Sequence, residues 1–301
     1  MASSATAEMQ PLAPAGYRRA PEMKEKVDAS AVDLEAGNGE TLYPGISRGE
    51  SALRWGFVRK VYGILAAQLL LTTAVSALTV LHPTLNATLS SSPTLALVLA
   101  VLPFVLMVPL YHYQHKHPHN FVYLGLFTLC LSFSVGVACA NTQGKIVLEA
   151  LILTSAVVAS LTAYTFWASK KGKEFGYLGP ILFSALILLI VISFVQASYI
   201  HFIQYTHSNR NLTIEKLPII ITNSLWNAVL QMFFPLGSGS VALFGGLGAL
   251  VFSGFIIYDT ENLIKRHTYD DYIWASVELY LDILNLFLYI LNMIRSMQSD
   301  N

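Results

Sequence analysis

The stretch 276–291, "SVELYLDILNLFLYIL", sets a carboxylate, Asp282, in the middle of an apolar run near the C-terminal end of the chain. Burying an ionisable group is costly unless it is paired or neutralised. Around it, Glu278, Asp282, Asn285, Tyr289 and Asn292 are spaced 4, 3, 4 and 3 residues apart. At about 100° per residue they fall within an arc of about 80° on a helix, a polar stripe on an otherwise apolar cylinder. Lipid cannot solvate such a stripe, so it must face the inside of a helical bundle or a wet cavity. Both an ion or proton path and a hydrogen-bonded packing seam use stripes of this kind. The asparagines read as seam; Asp282 reads as functional.

The rest of the chain supplies the bundle. Of 301 residues, 54% are hydrophobic and 12% charged, with a mean hydropathy of +0.54. Soluble domains carry about 25% charged residues. Seven apolar segments, 61–81, 94–113, 121–140, 146–168, 177–198, 240–259 and 273–294, approach the length that crosses roughly 30 Å of hydrocarbon. The expected fold is an all-α polytopic membrane protein with seven transmembrane helices. Pro103, Pro109 and Pro180 mark kinks or ends. Zero formal net charge gives no hint of nucleic acid, and two cysteines, Cys130 and Cys139, offer neither a disulfide framework nor a metal quartet. Residues 1–50 mix Ala, Ser, Pro, Gly and charges of both signs, and read as a disordered cytosolic tail ahead of a membrane domain over 51–301.

Orientation follows from the basic loop residues. Arg48, Arg54, Arg59, Lys60, Lys116, Lys170, Lys171, Lys173, Lys265 and Arg266 make ten on one side; Lys145, Arg210, Lys216 and Arg295 make four on the other. The N-terminus is expected in the cytosol, with the sequons at Asn86 and Asn211 facing the lumen or exterior.

Asp282 needs a partner, and Asp259 in "IIYDTENLIKRH" is the candidate. With Lys265 and Arg266 at the cytosolic interface, Asp259 lies about 9 Å deep; with Tyr272 at that interface, Asp282 lies about 15 Å deep. The difference is about one helical turn. Two facing carboxylates in a poorly solvated site cannot both stay ionised and share a proton, a pH-sensitive latch by construction. The alternative leaves Asp259 alone at a wetted helix end.

Other features are weaker. Glu149, four residues after Lys145, either lines an entry on the opposite side or pairs with that lysine. The run "YHYQHKHPHN" gathers His112, His115, His117 and His119 with Lys116. It reads as a solvated loop and as a source of basic neighbours, His112, His115 and Lys116, for the aspartate pair. Ala242, Gly246, Ala249 and Ser253 recur on one face of segment six and allow close helix approach.

The stretches "FVRKVYGILAAQLLLT", "KIVLEALILTS", "LTAYTFWA", "GYLGP", "FFPLG" and "IIYDTENLIKRHTYDDYIWASVELYLDILNLFLYIL" together resemble the transmembrane Bax inhibitor motif family, lifeguard branch, and the last looks similar to its plant members. The match covers 51–196 and 231–297. It implies six helices around a central C-terminal one, Ca2+ leak across intracellular membranes, suppression of cell death, and paired aspartates acting as a pH-responsive latch. By motif, Asp259 matches the Tyr-Asp element, Asp282 the Leu-Tyr-Leu-Asp element and Glu149 the Val-Leu-Glu-Ala element. An arginine that some members place at the end of segment two is replaced here by the His-rich run, where no single residue takes its role. Residues 197–231 interrupt the match and read as an insertion, an unusual splice form or gene-model artefact, forming an irregular loop or an interfacial helix.

The resulting expectation is a pH-sensitive Ca2+ leak channel of the endoplasmic reticulum or another endomembrane that suppresses programmed cell death. Asp259 and Asp282 form the latch, and Glu149, Glu278 and Asn285 line the ion path. No cofactor and no enzymatic activity are expected; Ca2+ and H+ are the ions handled, and the bilayer is the surrounding partner. A non-conducting protein acting on cell-death regulators or other membrane proteins through its tail or loops is the alternative. An intramembrane aspartyl protease would also use two aspartates sharing a proton, but it pairs Tyr-Asp with Gly-x-Gly-Asp, and this chain has Leu-Tyr-Leu-Asp.

Overall fold

Helix α1 (Arg48–Leu81) begins where the chain offers a reciprocal cap. The Glu50 N–H donates to Ser47 Oγ at 3.2 Å, and the Ser47 N–H donates back to Glu50 Oε2 at 3.4 Å. In the computed structural model the described residues are 41–91, 93–208 and 238–298. Most of the tail, residues 1–40, and most of the insertion, including Leu217 to Leu230 and the sequon at Asn211, lie outside them. The tail reading extends too far at its end: Leu42 is fully buried and its N–H donates to Ser51 Oγ at 3.2 Å. The folded part thus begins before residue 50.

The order continues as α2 (Pro83–Ser91), α3 (Pro93–Tyr113), α4 (His119–Ala140), α5 (Gly144–Lys170), α6 (Leu178–Ser208), α7 (Ser238–Lys265) and α8 (Tyr272–Gln298). All described elements are helices, with no strand among the described residues. Five of them, α1, α4, α5, α7 and α8, are long and apolar enough to cross a membrane; Val101–Tyr113 in α3 and Leu178–Phe194 in α6 are shorter apolar stretches. Helix α3 runs through Pro103 and Pro109 rather than ending at either, and Pro180 sits in the first turn of α6, where proline's missing N–H is not needed. The sequon at Asn86 falls in the short helix α2. Helix α6 extends to Ser208, ten residues past the expected end of segment five.

Helix α8 is the axis. It packs against α7, α1, α5 and α4, and Tyr280, Ile273, Leu286 and Leu291 are buried in the core around it. By contrast Leu70, Phe104, Val108, Leu188 and Leu250 on the surrounding helices are exposed. Apolar residues facing outward are what a hydrocarbon solvent requires. The interior is sewn with short hydroxyl contacts: Tyr280 OH lies 2.6 Å from Thr72 Oγ1, Ser132 Oγ donates to Thr72 Oγ1 at 3.1 Å, and Gln68 Nε2 donates to Thr128 Oγ1 at 3.2 Å. Such bonds join α1, α4 and α8 where apolar burial gives little preference for protein over lipid.

Close approach of α7 and α8 depends on glycines, though not on the expected one. At Gly245 an added Cβ would stand 3.0 Å from Tyr289 O and from Met293 Cβ, and at Gly248 it would overlap the Tyr289 ring. At Gly246 it would meet only Met293 Sδ, at an ordinary 3.6 Å. The contact face is turned by about one residue, roughly 100°, from the small-residue face expected from the sequence.

Candidate functional site

One end of the bundle collects the start of α1 and the α3–α4, α5–α6 and α7–α8 connections. Lys265 Nζ donates to Lys173 O at 2.7 Å and to Glu261 Oε1 at 2.9 Å; Glu261 Oε2 accepts the Phe175 N–H at 2.8 Å. Tyr272 OH lies 2.8 Å from His117 Nε2, and the Lys60 Nζ sits 3.1 Å over the Tyr272 ring. Arg54 donates to His267 O and its guanidinium lies 4.9 Å over the Tyr269 ring. The elements bearing the ten basic residues of the sequence reading therefore share one end.

The α7–α8 connection sets the register of the two acidic helices. It spans only 266–271, and Asp271 closes it by accepting from Thr268 N at 3.1 Å and Thr268 Oγ1 at 2.6 Å. Two antiparallel helices leaving so tight a turn bring Asp259, six residues before the end of α7, opposite Asp282, ten residues into α8. Their carboxyl groups lie within hydrogen-bonding reach of each other. Asp282 is 5% exposed, and its Oδ2 meets no N–H or O–H donor. A proton held between the two carboxyl groups supplies the donor that this buried oxygen otherwise lacks. Asn262 Nδ2 stands 3.4 Å from Asp259 Oδ1, a weak second contact.

Glu278 lies one turn before Asp282 and close enough to act on both aspartates through its charge. It receives His267 Nε2 at 3.1 Å. Burial works against charge on His267, but the hydrogen bond and charge of Glu278, with the charges of Asp271 and Asp259, outweigh it and raise the imidazole above its ordinary 6.5.

Behind these acids lies a cavity of about 1000 Å³ walled by α3, α4, α6, α7 and α8. Asp259, Glu278, Asp282, Asn285 and Tyr289 line it on the α7–α8 side; Pro103, Phe104, Phe127, Leu131, Leu186 and Ile190 are among the apolar residues opposite. Four of the five residues in the polar stripe of α8 thus face one cavity. Asn285 Nδ2 donates back to Leu281 O at 2.8 Å, and Tyr289 is hydrogen-bonded to Ser193 of α6.

Two groups of expected site residues are elsewhere. Glu149 is at the other end, 3.8 Å from Lys145 Nζ and accepting from Gln298 Nε2 at 3.1 Å; it does not line the cavity. The His-rich run does not reach the aspartates either. His115 approaches Asp271 at 4.0 Å, His112 packs edge-on against Tyr113, and Lys116 lies 5.5 Å over the Tyr113 ring. That loop rests over the first turn of α8, ten residues from Asp282, so His112, His115 and Lys116 are not its basic neighbours. The imidazole nearest these acids is His267, which pairs with Glu278 and acts on Asp259 through its charge. Its place in the short loop after the Tyr-Asp helix was the available signal, and it competed with a denser cluster of histidines. Among the described residues no cluster of three or more His, Cys, Asp or Glu side chains could hold a metal ion.

A model of the family described as "Inhibitor of apoptosis-promoting Bax1" matches residues 54–214 and 214–300, two pieces that meet inside the 197–231 segment. A "BI1-like protein" of Arabidopsis thaliana is 56% identical over 279 residues, covering 91% of this chain and 94% of the relative. "Protein LIFEGUARD 4" of Arabidopsis thaliana is 47% identical over 270 residues, covering 88% and 95%. A "Golgi anti-apoptotic protein" of Vaccinia virus (strain Lister) is 34% identical over 242 residues, covering 80% and 86%. With a helical bundle of several membrane-spanning lengths and the Tyr-Asp and Leu-Tyr-Leu-Asp elements meeting at its core, the chain is a multi-pass membrane protein of the Bax inhibitor family, in its lifeguard branch.

Proposed function

We propose that this protein suppresses programmed cell death by leaking Ca2+ from an intracellular store, gated by protonation of the Asp259–Asp282 pair. The observation that carries this reading is the pair of facing carboxyl groups lining a large cavity in the bundle. The family and the anti-apoptotic viral relative support a role in cell death. The relative's name also supports an endomembrane, and the ten basic residues at one end support a cytosolic N-terminus.

With one proton between them, the two carboxyl groups tie α7 to α8. When it leaves, two like charges face each other at close range. At 4 Å and an intermediate effective dielectric that repulsion is about 4 kcal/mol, enough to push the helices apart or draw in a cation. Ca2+ takes oxygen ligands, and Asp259, Asp282, Glu278 and Asn285 present them along one cavity.

Ca2+ efflux from proteoliposomes carrying wild type, Asp259→Asn and Asp282→Asn, followed between about pH 5 and 8, tests the reading. Wild-type efflux should change with pH, and each variant should flatten that response. A pH response identical in all three removes the latch; no efflux from wild type removes the channel.

A further inference from the structure

The cavity beside the acids has an asymmetry that ion passage does not explain. Its acidic corner holds Asp259, Glu278 and Asp282, while the remaining lining is dominated by Leu, Ile, Phe, Pro and Met. Among the described residues, none of those lining it is basic. Asp282 is nearly fully buried, and apart from a proton shared with Asp259 its Oδ2 has no donor. Two lining residues, Phe104 of α3 and Ile190 of α6, are 72% and 48% exposed, so the cavity reaches the outer apolar surface of the bundle. The volume, about 1000 Å³, is at the upper end of the range of small-molecule sites, which combine apolar walls with a few converging polar groups.

A ligand that satisfies these facts must enter from the hydrocarbon, fill an apolar chamber, and end in a positive group with several N–H donors. An ammonium has three donors and no acceptor. Set against three carboxyl groups it can replace the shared proton and reach Asp282 Oδ2, and a buried charge is tolerated where it is paired and hydrogen-bonded. A neutral alcohol or an ordinary acyl chain leaves the acids without that compensation, and a fatty acid adds a like charge.

We propose that this cavity is a binding site for a single-chain cationic amphiphile, a long-chain primary amine entering laterally past Phe104 and Ile190, with its ammonium held by Asp259, Glu278 and Asp282. Occupied in this way, the cavity has no free carboxylate pair for Ca2+, so the amine acts as a plug. The site follows from the cavity alone; only the plugging rests on the conduction reading.

The full chain in nanodiscs of neutral phosphatidylcholine, photolabelled with a diazirine-bearing dodecylamine, tests the site without any flux measurement. Labelling should saturate, map to α3 and α6, and be competed by dodecylamine roughly ten-fold better than by dodecanol. Asp282→Asn should lower it by a similar factor. Leu186→Trp fills the apolar wall without touching the acids, and should also lower it, which keeps the test standing if the aspartate variant does not fold. Equal competition by dodecanol, labelling confined to other helices, or wild-type labelling in folded Leu186→Trp would overturn the site. Saturable, charge-dependent labelling together with no Ca2+ efflux from wild type would uphold the site and remove only the channel reading.

Discussion

His267 Nε2 lies 3.1 Å from Glu278 Oε2, so a loop imidazole clasps a carboxylate one helical turn before Asp282. Arg54 fixes the same loop by donating to the His267 carbonyl, and the charged groups facing the imidazole are Glu278, Asp271 and Asp259.

The clasp predicts a pH dependence of stability with a definite sign. His267 titrates above its ordinary 6.5 in the folded protein, so its contribution is fully present below 6.5 and is lost as pH rises through the raised value. Thermal unfolding in detergent should show wild type losing on the order of 1 kcal/mol across that window relative to His267→Gln. Parallel curves for the two proteins would show that the contact carries no stability.

Asp282→Asn should fold at least as well as wild type. The amide has nearly the shape of the carboxyl group and supplies an N–H donor toward Asp259 beside an oxygen that has none. An expected change between zero and about 1 kcal/mol in favour of the folded state is measurable by chemical denaturation at neutral pH. Asp282→Leu fits the chamber's apolar walls but leaves Asp259 without its partner, and should differ from the asparagine variant in that respect.

Gly248→Ala should be disruptive although the change is one methyl group. Its Cβ would overlap the Tyr289 ring, which stacks on Phe252 at 5.6 Å and lines the cavity. Overpacking of this kind costs about 1–3 kcal/mol. Gly246→Ala, at a position two residues earlier, should cost less than 1 kcal/mol, roughly, because its nearest neighbour is the flexible Met293 sulfur at 3.6 Å. Melting temperatures of the two variants side by side decide this.

Glu261 is 1% exposed and accepts from the Phe175 N–H and from Lys265 Nζ. Glu261→Ala leaves that N–H and some of the lysine's charge uncompensated, and should destabilise by about 3 kcal/mol. The loss should appear as faster hydrogen exchange at Phe175 and its neighbours in the α5–α6 connection. Unchanged exchange there would mean that the tie is dispensable.

Asp259, Asp282, Glu278 and Asn285 were legible in the sequence because helical periodicity is a local property: spacings of 4 and 3 put side chains on one face whatever the neighbours do. The short stretch between Lys265 and Tyr272 further required α7 and α8 to pack antiparallel. Glu261 is not legible in the sequence because, in isolation, a Glu four residues before a Lys reads as an ordinary surface pair. The glycine contact fell one residue away from the expected face because small size permits approach, while the rotation of the helix decides which small residue is used.

Length and apolar content alone determined the helical bundle and its membrane setting, since only hydrogen-bonded helices or closed barrels satisfy their backbone in hydrocarbon. Partnership was decided by tertiary structure. The offset between α7 and α8 brought Asp259 to Asp282, the α7–α8 turn offered His267 although the His-rich run held more imidazoles, and the distance along the bundle kept Glu149 at the far end. Spacing along one helix specifies a face; which residue meets that face depends on the depth and rotation of another helix, and those are set by packing over the whole bundle.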